Sequence, residues 1–308
     1  MKSILVTSYV NPDLDGVAGM VAYAEFLQKT GKNAIAGMFD DPQEEAKYVL
    51  KRFCFEYPQA LTNTDNFDKI ILVDASELSV LQEKISPDRV IEIIDHRLTH
   101  EVDKFPNAKV QIELVGAAAT LIAEKFMENR IEISVKSATL LYSAIISNTV
   151  NFKAGVCTNR DKVAASWLNQ FAKLSENFWK ELFIAKSDFT GSSLFERIDS
   201  DLAIKELGNK KIGIAQLEII GVQNLIDDRG GEIIQVLEQI KAAENLDLVF
   251  INAIELEAGK NYFVATDAQT KKLLEKVLNI KFSGAVAERP GVLMRKEILP
   301  LIKKELED

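Results

Sequence analysis

The chain has 308 residues, more than one ordinary hydrophobic core accommodates, so two domains are expected. A formal net charge of −9 excludes the broad basic footprint of a duplex-binding protein, so no nucleic-acid partner is expected; a small anion needs only a few local cations or metal ions. Two cysteines, Cys54 and Cys157, offer neither thiolate metal spacing nor a disulfide framework, and no apolar run has the length of a signal peptide or a membrane span, so a cytoplasmic protein without a membrane partner is expected.

In chain order, residues 2–7 form an apolar run that ends in the turn-rich segment Asn11-Pro12-Asp13-Leu14-Asp15-Gly16. An alanine-rich stretch from Val17 to Leu27 then predicts a helix stopped by Gly31. Ala34–Met38, Lys69–Val73 and Val90–Ile94 predict strands, the last two running into Asp74 and Asp95. Continuous β-branched runs of this kind, alternating with helices, imply a Rossmann-like parallel sheet covered on both faces. Helical patterns follow at Gly116–Asn129, Ser134–Ile146, Asp161–Leu174 and Phe178–Ala185. The polar segment from Lys186 to Ser193 contains Gly191 and is the best linker candidate. Beyond it strands are expected at Lys211–Leu217, Leu246–Ile254 and Asn261–Ala265, the last two as antiparallel neighbours. Helices are expected at Gly231–Ala243, Ala268–Leu278 and Arg295–Leu306. The expected organisation is an α/β chain: a parallel-sheet domain over residues 1–186, a linker over 187–193, and a smaller α/β domain with a mixed sheet over 194–308.

Four features of the first half coincide. Asp13 and Asp15 follow the first strand, Asp74 closes another, and Asp95 with His96 closes a third. In an open parallel sheet the loops at the carboxyl ends of the strands share one edge, where ligands bind. Any one of these aspartates could serve as a helix cap or turn residue. Brought together, four carboxylates repel and require cations between them. Carboxylate oxygen with imidazole nitrogen suits Mn²⁺, and carboxylates alone suit Mg²⁺. Two such ions would activate a water and neutralise phosphate oxygens.

Asn11-Pro12-Asp13-Leu14-Asp15, Val73-Asp74 with Glu77, and Asp95-His96 resemble the first three motifs of the DHH phosphoesterases. Val115–Thr120 and Ser143–Thr149 resemble the next two segments, and Phe152-Lys153 with Cys157-Thr158 follow as in the manganese-dependent (family II) inorganic pyrophosphatases. Lys211–Leu217, Gly291-Val292 and Arg295-Lys296 extend the resemblance over nearly the whole chain. It implies a DHH domain, a second phosphate-binding domain, and an active site in the cleft between them. It also implies hydrolysis of pyrophosphate or short polyphosphate with two divalent ions, Mn²⁺ or Mg²⁺. Asp13 would ligate one ion, Asp15 and His96 the other, and Asp74 would bridge them. Asp95 would orient the His96 ring through its N–H. Arg295 and Lys296 would grip the phosphates, with Lys205 as a further candidate. A homodimer paired through the edge of the first sheet is consistent with this resemblance.

Three positions depart from the pattern. Tyr9 stands where the family has a histidine ligand, Arg97 replaces the second histidine of Asp-His-His, and Asn148 replaces an aspartate. Tyr9 would weaken the first metal position, because a phenol ionises only near pH 10. Asn148 would offer the metal a neutral carbonyl oxygen, and Arg97 would place a fixed positive charge beside the phosphates. Asp-His-Arg also resembles a prune-like branch that acts on short polyphosphates. The main expectation is a phosphohydrolase with Asp74, Asp95, Arg97 and Asn148 in catalytic roles. The alternative is a catalytically weakened, pyrophosphatase-like binding or regulatory protein. Gly230-Gly231 is followed by Glu232 rather than by the Gly-Gly-Gly-His element of the nuclease branch, which makes an oligonucleotide phosphodiesterase a poor match.

Overall fold

Runs rich in Ile, Leu and Val build the strands of both halves. The computed structural model describes residues 3–97, 100–188 and 193–307. The chain divides into two units, Met1–Phe152 with Val156–Ala185, and Lys153–Gly155 with Lys186–Asp308. Within the expected linker, Phe189, Thr190, Gly191 and Ser192 lie outside the described residues.

The first unit carries strands β1 (Ile4–Thr7), β2 (Ala34–Met38), β3 (Gln59–Ala60), β4 (Lys69–Val73), β5 (Val90–Asp95) and β6 (Lys109–Ile112). They form one parallel sheet in the order β3-β2-β1-β4-β5-β6. The chain steps outward from β1 to β3, then returns to β4 on the other side of β1. The strand order reverses at that point, and there a doubly wound sheet opens its ligand crevice. Six helices accompany the sheet: α1 (Leu14–Lys29), α2 (Glu44–Arg52), α3 (Ala118–Asn129), α4 (Val135–Asn148), α5 (Asn159–Ala172) and α6 (Phe178–Lys186). Helix α2 was not expected. Its sequence EEAKYVLKR is short and polar, yet it has acidic residues in its first turn, basic ones in its last, and buried Ala46, Val49 and Leu50.

Two glycines decide how near α1 comes to the strands. A Cβ at Gly19 would lie 2.3 Å from Val73 Cγ1 of β4, and one at Gly16 would lie 2.6 Å from Ser8 Oγ. With hydrogen instead, the helix lies directly on the sheet and brings Asp13 and Asp15 to the end of β4.

The second unit contains α7 (Leu194–Asp199), β7 (Leu202–Leu207), β8 (Lys210–Ile219), α8 (Val222–Ala243), β9 (Leu248–Glu255), β10 (Lys260–Val264), α9 (Ala268–Leu278), β11 (Val286–Pro290) and α10 (Arg295–Glu307). Its five-stranded sheet has the order β11-β10-β9-β8-β7 and is mixed, as expected: β8 and β9 are parallel and the other pairs antiparallel. The apolar run of β8 splits by parity. Ala215, Leu217 and Ile219 pack with α7 and α8, whereas Ile212 and Ile214 pack with α9 and α10.

Helix α8 starts nine residues before the expected Gly231. Its first turn is capped from a distance: Glu255 Oε2 accepts from the backbone N–H groups of Gly221 and Val222, each at 2.9 Å. The helix breaks at Arg229 (φ −128°, ψ 17°), just before Gly230-Gly231. A Cβ at Gly231 would meet nothing within 4 Å. Gly231→Ala is therefore expected to raise unfolding stability by about 0.5–1 kcal/mol in chemical denaturation, through helix propensity and a less flexible unfolded chain. A loss of stability would show that the break needs glycine.

Candidate metal centre

The crevice at the β1–β4 crossing collects the polar residues. Asp13 caps α1, its Oδ1 accepting from Gly16 N at 3.0 Å. Asp15, in the first turn of that helix, points at the start of α3 and accepts from the N–H groups of Ala118 and Ala119, each at 2.8 Å. The N-terminal dipole of α3 thus faces a carboxylate, which it stabilises. Asp74 continues β4, its N–H donating to Ile94 O at 2.8 Å, but turns into the left-handed region at φ 54°. Aspartate tolerates that conformation better than most residues.

His96 lies 6% exposed at the end of β5. Its Nδ1 is 3.0 Å from Val115 O. A carbonyl can only accept, so Nδ1 carries a proton, and in the neutral ring Nε2 keeps its lone pair. That nitrogen lies 3.4 Å from Asp74 Oδ1 and 3.7 Å from Asp15 Oδ2. One donor atom from each of Asp15, Asp74 and His96 lies within 4.8 Å of the others, and all three residues are buried.

Such packing is unfavourable for carboxylates alone. Burial, with the charges of Asp74 and Glu45, pushes the Asp13 carboxyl up to about 7. Burial, with Asp74 and Asp13, pushes Asp15 well above the ordinary carboxylate range despite its two backbone donors. A divalent cation answers this repulsion, and two carboxylates with one imidazole form a donor set suited to Mn²⁺ and acceptable to Mg²⁺. The residues present therefore fit a metal ion.

The sequence departures surround this cluster. Arg97, with a 29% exposed side chain, aims Nη2 at Asp74 Oδ1 (3.2 Å) and donates from Nη1 to Asp74 O (2.6 Å), with Asp95 Oδ2 3.6 Å from Nη1. Its guanidinium carbon lies 5.4 Å from the centroid of the Tyr9 ring. Tyr9 Oη accepts from Asp13 N at 2.9 Å, and burial raises its pKa well above the usual value, so it stays a neutral phenol. Asn148 Nδ2 donates to Asp15 Oδ2 at 2.8 Å, which directs its amide N–H, rather than its carbonyl oxygen, at that carboxylate.

The expected role of Asp95 needs correction. Its Oδ1 accepts from the backbone N–H of His96 (2.7 Å) and its Oδ2 from Ser76 Oγ (2.5 Å); the imidazole is held by Val115 O instead. Two supporting residues had no assigned role. Glu45 on α2 is buried and accepts from Leu14 N and Ser147 Oγ beside the start of α1. Asp161 is fully buried and accepts from Gly116 N, Thr120 Oγ1, Thr158 N and Thr158 Oγ1. It ties the start of α5 to the loop that presents Val115. Thr158-x-x-Asp161 is a capping box legible in the sequence, whereas the link to Gly116 is not. His100 is exposed, and burial raises the pKa of the Cys157 thiol, which disfavours a nucleophilic thiolate.

In the second unit, Arg295 opens α10 and Lys296 follows it, half-buried. Arg295 Nη1 donates to Asp201 O and Ile214 O, and Nη2 pairs with Asp201 Oδ1 at 2.7 Å. Ile214 faces Ala203 across the β7–β8 ladder, and Lys205 lies two residues along β7, on the same face as Ala203. A buried amide network fixes the approach to Arg295. Asn252 and Asn261 both donate to Leu293 O, Asn261 Oδ1 accepts from Leu293 N, and Gln216 Oε1 accepts from Arg295 N.

Residues 3–145 match the N-terminal domain of the DHH family, and residues 180–305 match the DHHA2 domain. The chain is 30% identical to the manganese-dependent inorganic pyrophosphatase of Bacillus subtilis (strain 168), over 98% of each protein. It is 28% identical to a probable manganese-dependent inorganic pyrophosphatase of Clostridium acetobutylicum, over 99% of this chain and 98% of that one. A crystal structure from Methanococcus jannaschii, provisionally assigned as a family II inorganic pyrophosphatase, superposes with a TM-score of 0.83 at 29% identity, covering 99% of this chain and 100% of the other.

The electrostatics generate a pH dependence. A carboxyl raised in the folded state leaves that state holding more protons than the unfolded chain, so stability falls as pH rises toward the raised value. For Asp13 that window ends near pH 7. The rise in Tm produced by Mn²⁺ over a chelator control is therefore expected to be larger at pH 7.5 than at pH 5.5, because the ion competes with protons for the carboxylates. An equal or smaller rise at pH 7.5 would count against the cluster as the binding site.

Proposed function

This chain belongs to the manganese-dependent inorganic pyrophosphatase family, with a DHH domain followed by a DHHA2 domain, and on that premise we propose that it is a metal-dependent phosphohydrolase cleaving the phosphoanhydride bond of pyrophosphate. Short polyphosphate, which presents the same bond, is included in the proposed substrate class. The observation that carries this reading is the convergence of Asp15, Asp74 and His96 at the β1–β4 crossing.

Asp15, Asp74 and His96 would hold the cation, Mn²⁺ or Mg²⁺, with Asp13 beside them. When bound, such an ion polarises phosphate oxygens and lowers the pKa of water in its coordination sphere. The protein supplies orientation and charge. Val115 O fixes the His96 ring so that Nε2 faces Asp74. Asp95 holds the His96 backbone and Ser76, and Asn148 holds Asp15. Arg97, Lys205, Arg295 and Lys296 are the proposed phosphate-binding cations. A guanidinium suits the paired oxygens of a phosphoryl group, and an ammonium adds a compact point charge.

A second reading, a phosphate-ligand binding or regulatory protein with little turnover, draws on the Arg97–Asp74 pair and on the Asn148 amide directed at Asp15. Phosphate release from pyrophosphate and tripolyphosphate, measured with Mn²⁺, Mg²⁺ or Co²⁺, separates the two. Metal-dependent release is expected, and its absence for both substrates with all three ions would sink the hydrolase reading. Asp74→Ala is expected to lower kcat by about 10²-fold or more, by removing a ligand between His96 and Arg97. Retained turnover would remove Asp74 from the machinery.

A further inference from the structure

We propose that this chain holds one divalent cation at its centre, on Asp15, Asp74 and His96, and that the guanidinium of Arg97 replaces the charge of a second. The proposal deepens the metal-dependent reading above and rests on it. Among the described residues, the group of three or more His, Cys, Asp and Glu residues whose donor atoms are close enough to share an ion is Asp15, Asp74 and His96; Asp13 is not in that group. An ion between Asp13 and Asp74 would also need a ligand from the Tyr9 and Arg97 side, and neither residue provides one. Tyr9 presents a phenol oxygen already engaged by Asp13 N. Arg97 presents only donors.

The guanidinium is also located where it excludes a second cation. Its fork spans Asp74, with Nη2 on the carboxylate and Nη1 on the carbonyl, and reaches toward Asp95, while the Tyr9 ring backs it. A second divalent ion on Asp74 would meet this fixed like charge in addition to the charge of the first ion. His96 Nε2 and Arg97 Nη2 both approach Asp74 Oδ1, at 3.4 and 3.2 Å, so an ion held with Asp15 and His96 shares this carboxylate with the guanidinium, which leaves little of its charge for a second ion.

The charge balance agrees. Relative to the Asp-His-His pattern with an aspartate in the α4 segment, Arg97 adds one positive charge and Asn148 removes one negative charge. Together these equal the charge of one divalent ion. Asn148 also spends an N–H on Asp15 Oδ2, where a carboxylate would have offered a ligand oxygen. The substituted positions thus form one compensated set, a guanidinium in exchange for a metal ion. A guanidinium carries its charge at any metal concentration, so the Arg97 part of the site would not depend on metal supply.

The test is a count of bound metal. Full-length protein is equilibrated with Mn²⁺, freed of excess, and measured by elemental analysis and by low-temperature electron paramagnetic resonance. One Mn²⁺ per chain with the spectrum of an isolated ion is expected. A Tyr9→His/Arg97→His/Asn148→Asp variant is expected to bind two per chain and to show spin–spin interaction between them. Two ions per wild-type chain, or an interacting pair in its spectrum, would overturn the proposal, as would no bound ion. The wild-type count stands even if the triple variant fails to fold. Phosphate release by the same Mn²⁺-loaded wild-type sample keeps the two readings apart. One ion without hydrolysis supports the one-ion centre and defeats the hydrolase reading. Two ions with hydrolysis does the reverse.

Discussion

Repulsion among Asp13, Asp15 and Asp74 is the constraint from which the rest of the first unit can be understood. A parallel sheet whose strand order reverses between β1 and β4 draws the following loops together, and this sequence places carboxylates in them. Each neighbouring device bears on that charge. The first amides of α3 support Asp15, the α1 cap engages Asp13, and Arg97 lies against Asp74. The Asp13 and Asp15 carboxyls stay raised all the same, first by burial and then by the neighbouring carboxylates. A centre that resists ionisation by itself is prepared to accept a cation.

The scaffold keeps these groups in place through close packing rather than through the polar contacts alone. Gly19 lets α1 rest against Val73, the residue before Asp74, so the helix carrying Asp15 and the strand carrying Asp74 share a packed boundary. Asp161 anchors the Gly116 loop with four distinct donor groups, and the carbonyl of Val115 in that loop sets the His96 ring. The second unit uses the same logic with amides. Asn252 and Asn261 hold Leu293, and Gln216 holds the backbone N–H of Arg295.

Local signals made much of this legible. The run KIILV before Asp74 needs only its β-branched composition to be recognised as a buried strand, and Asp13-x-Asp15 before an alanine-rich helix declares itself as a loop with a cap. What escaped depends on distant partners or on the backbone. The hold on the His96 ring is a carbonyl, which leaves no side-chain mark in the sequence. Helix α8 begins early because Glu255 caps it from more than thirty residues away. Glu45 was hidden because α2 is short and mostly polar, so its single apolar stripe is brief. Asn148 departs from the family pattern in the sequence, but that its amide N–H meets Asp15, whose carboxylate oxygen accepts, depends on the fold bringing α4 beside α1.

The link between Asp15 and the first turn of α3 has a practical consequence. The N–H groups of Ala118 and Ala119 point at the carboxylate that would share its remaining lone pairs with a metal ion. Their protons sense the electron density of those oxygens without themselves touching the ligand or the substrate. In a spectrum resolved residue by residue, these two alanine resonances would act as built-in observers of the centre. They would register its loading even by Mg²⁺, an ion with no paramagnetic signature of its own.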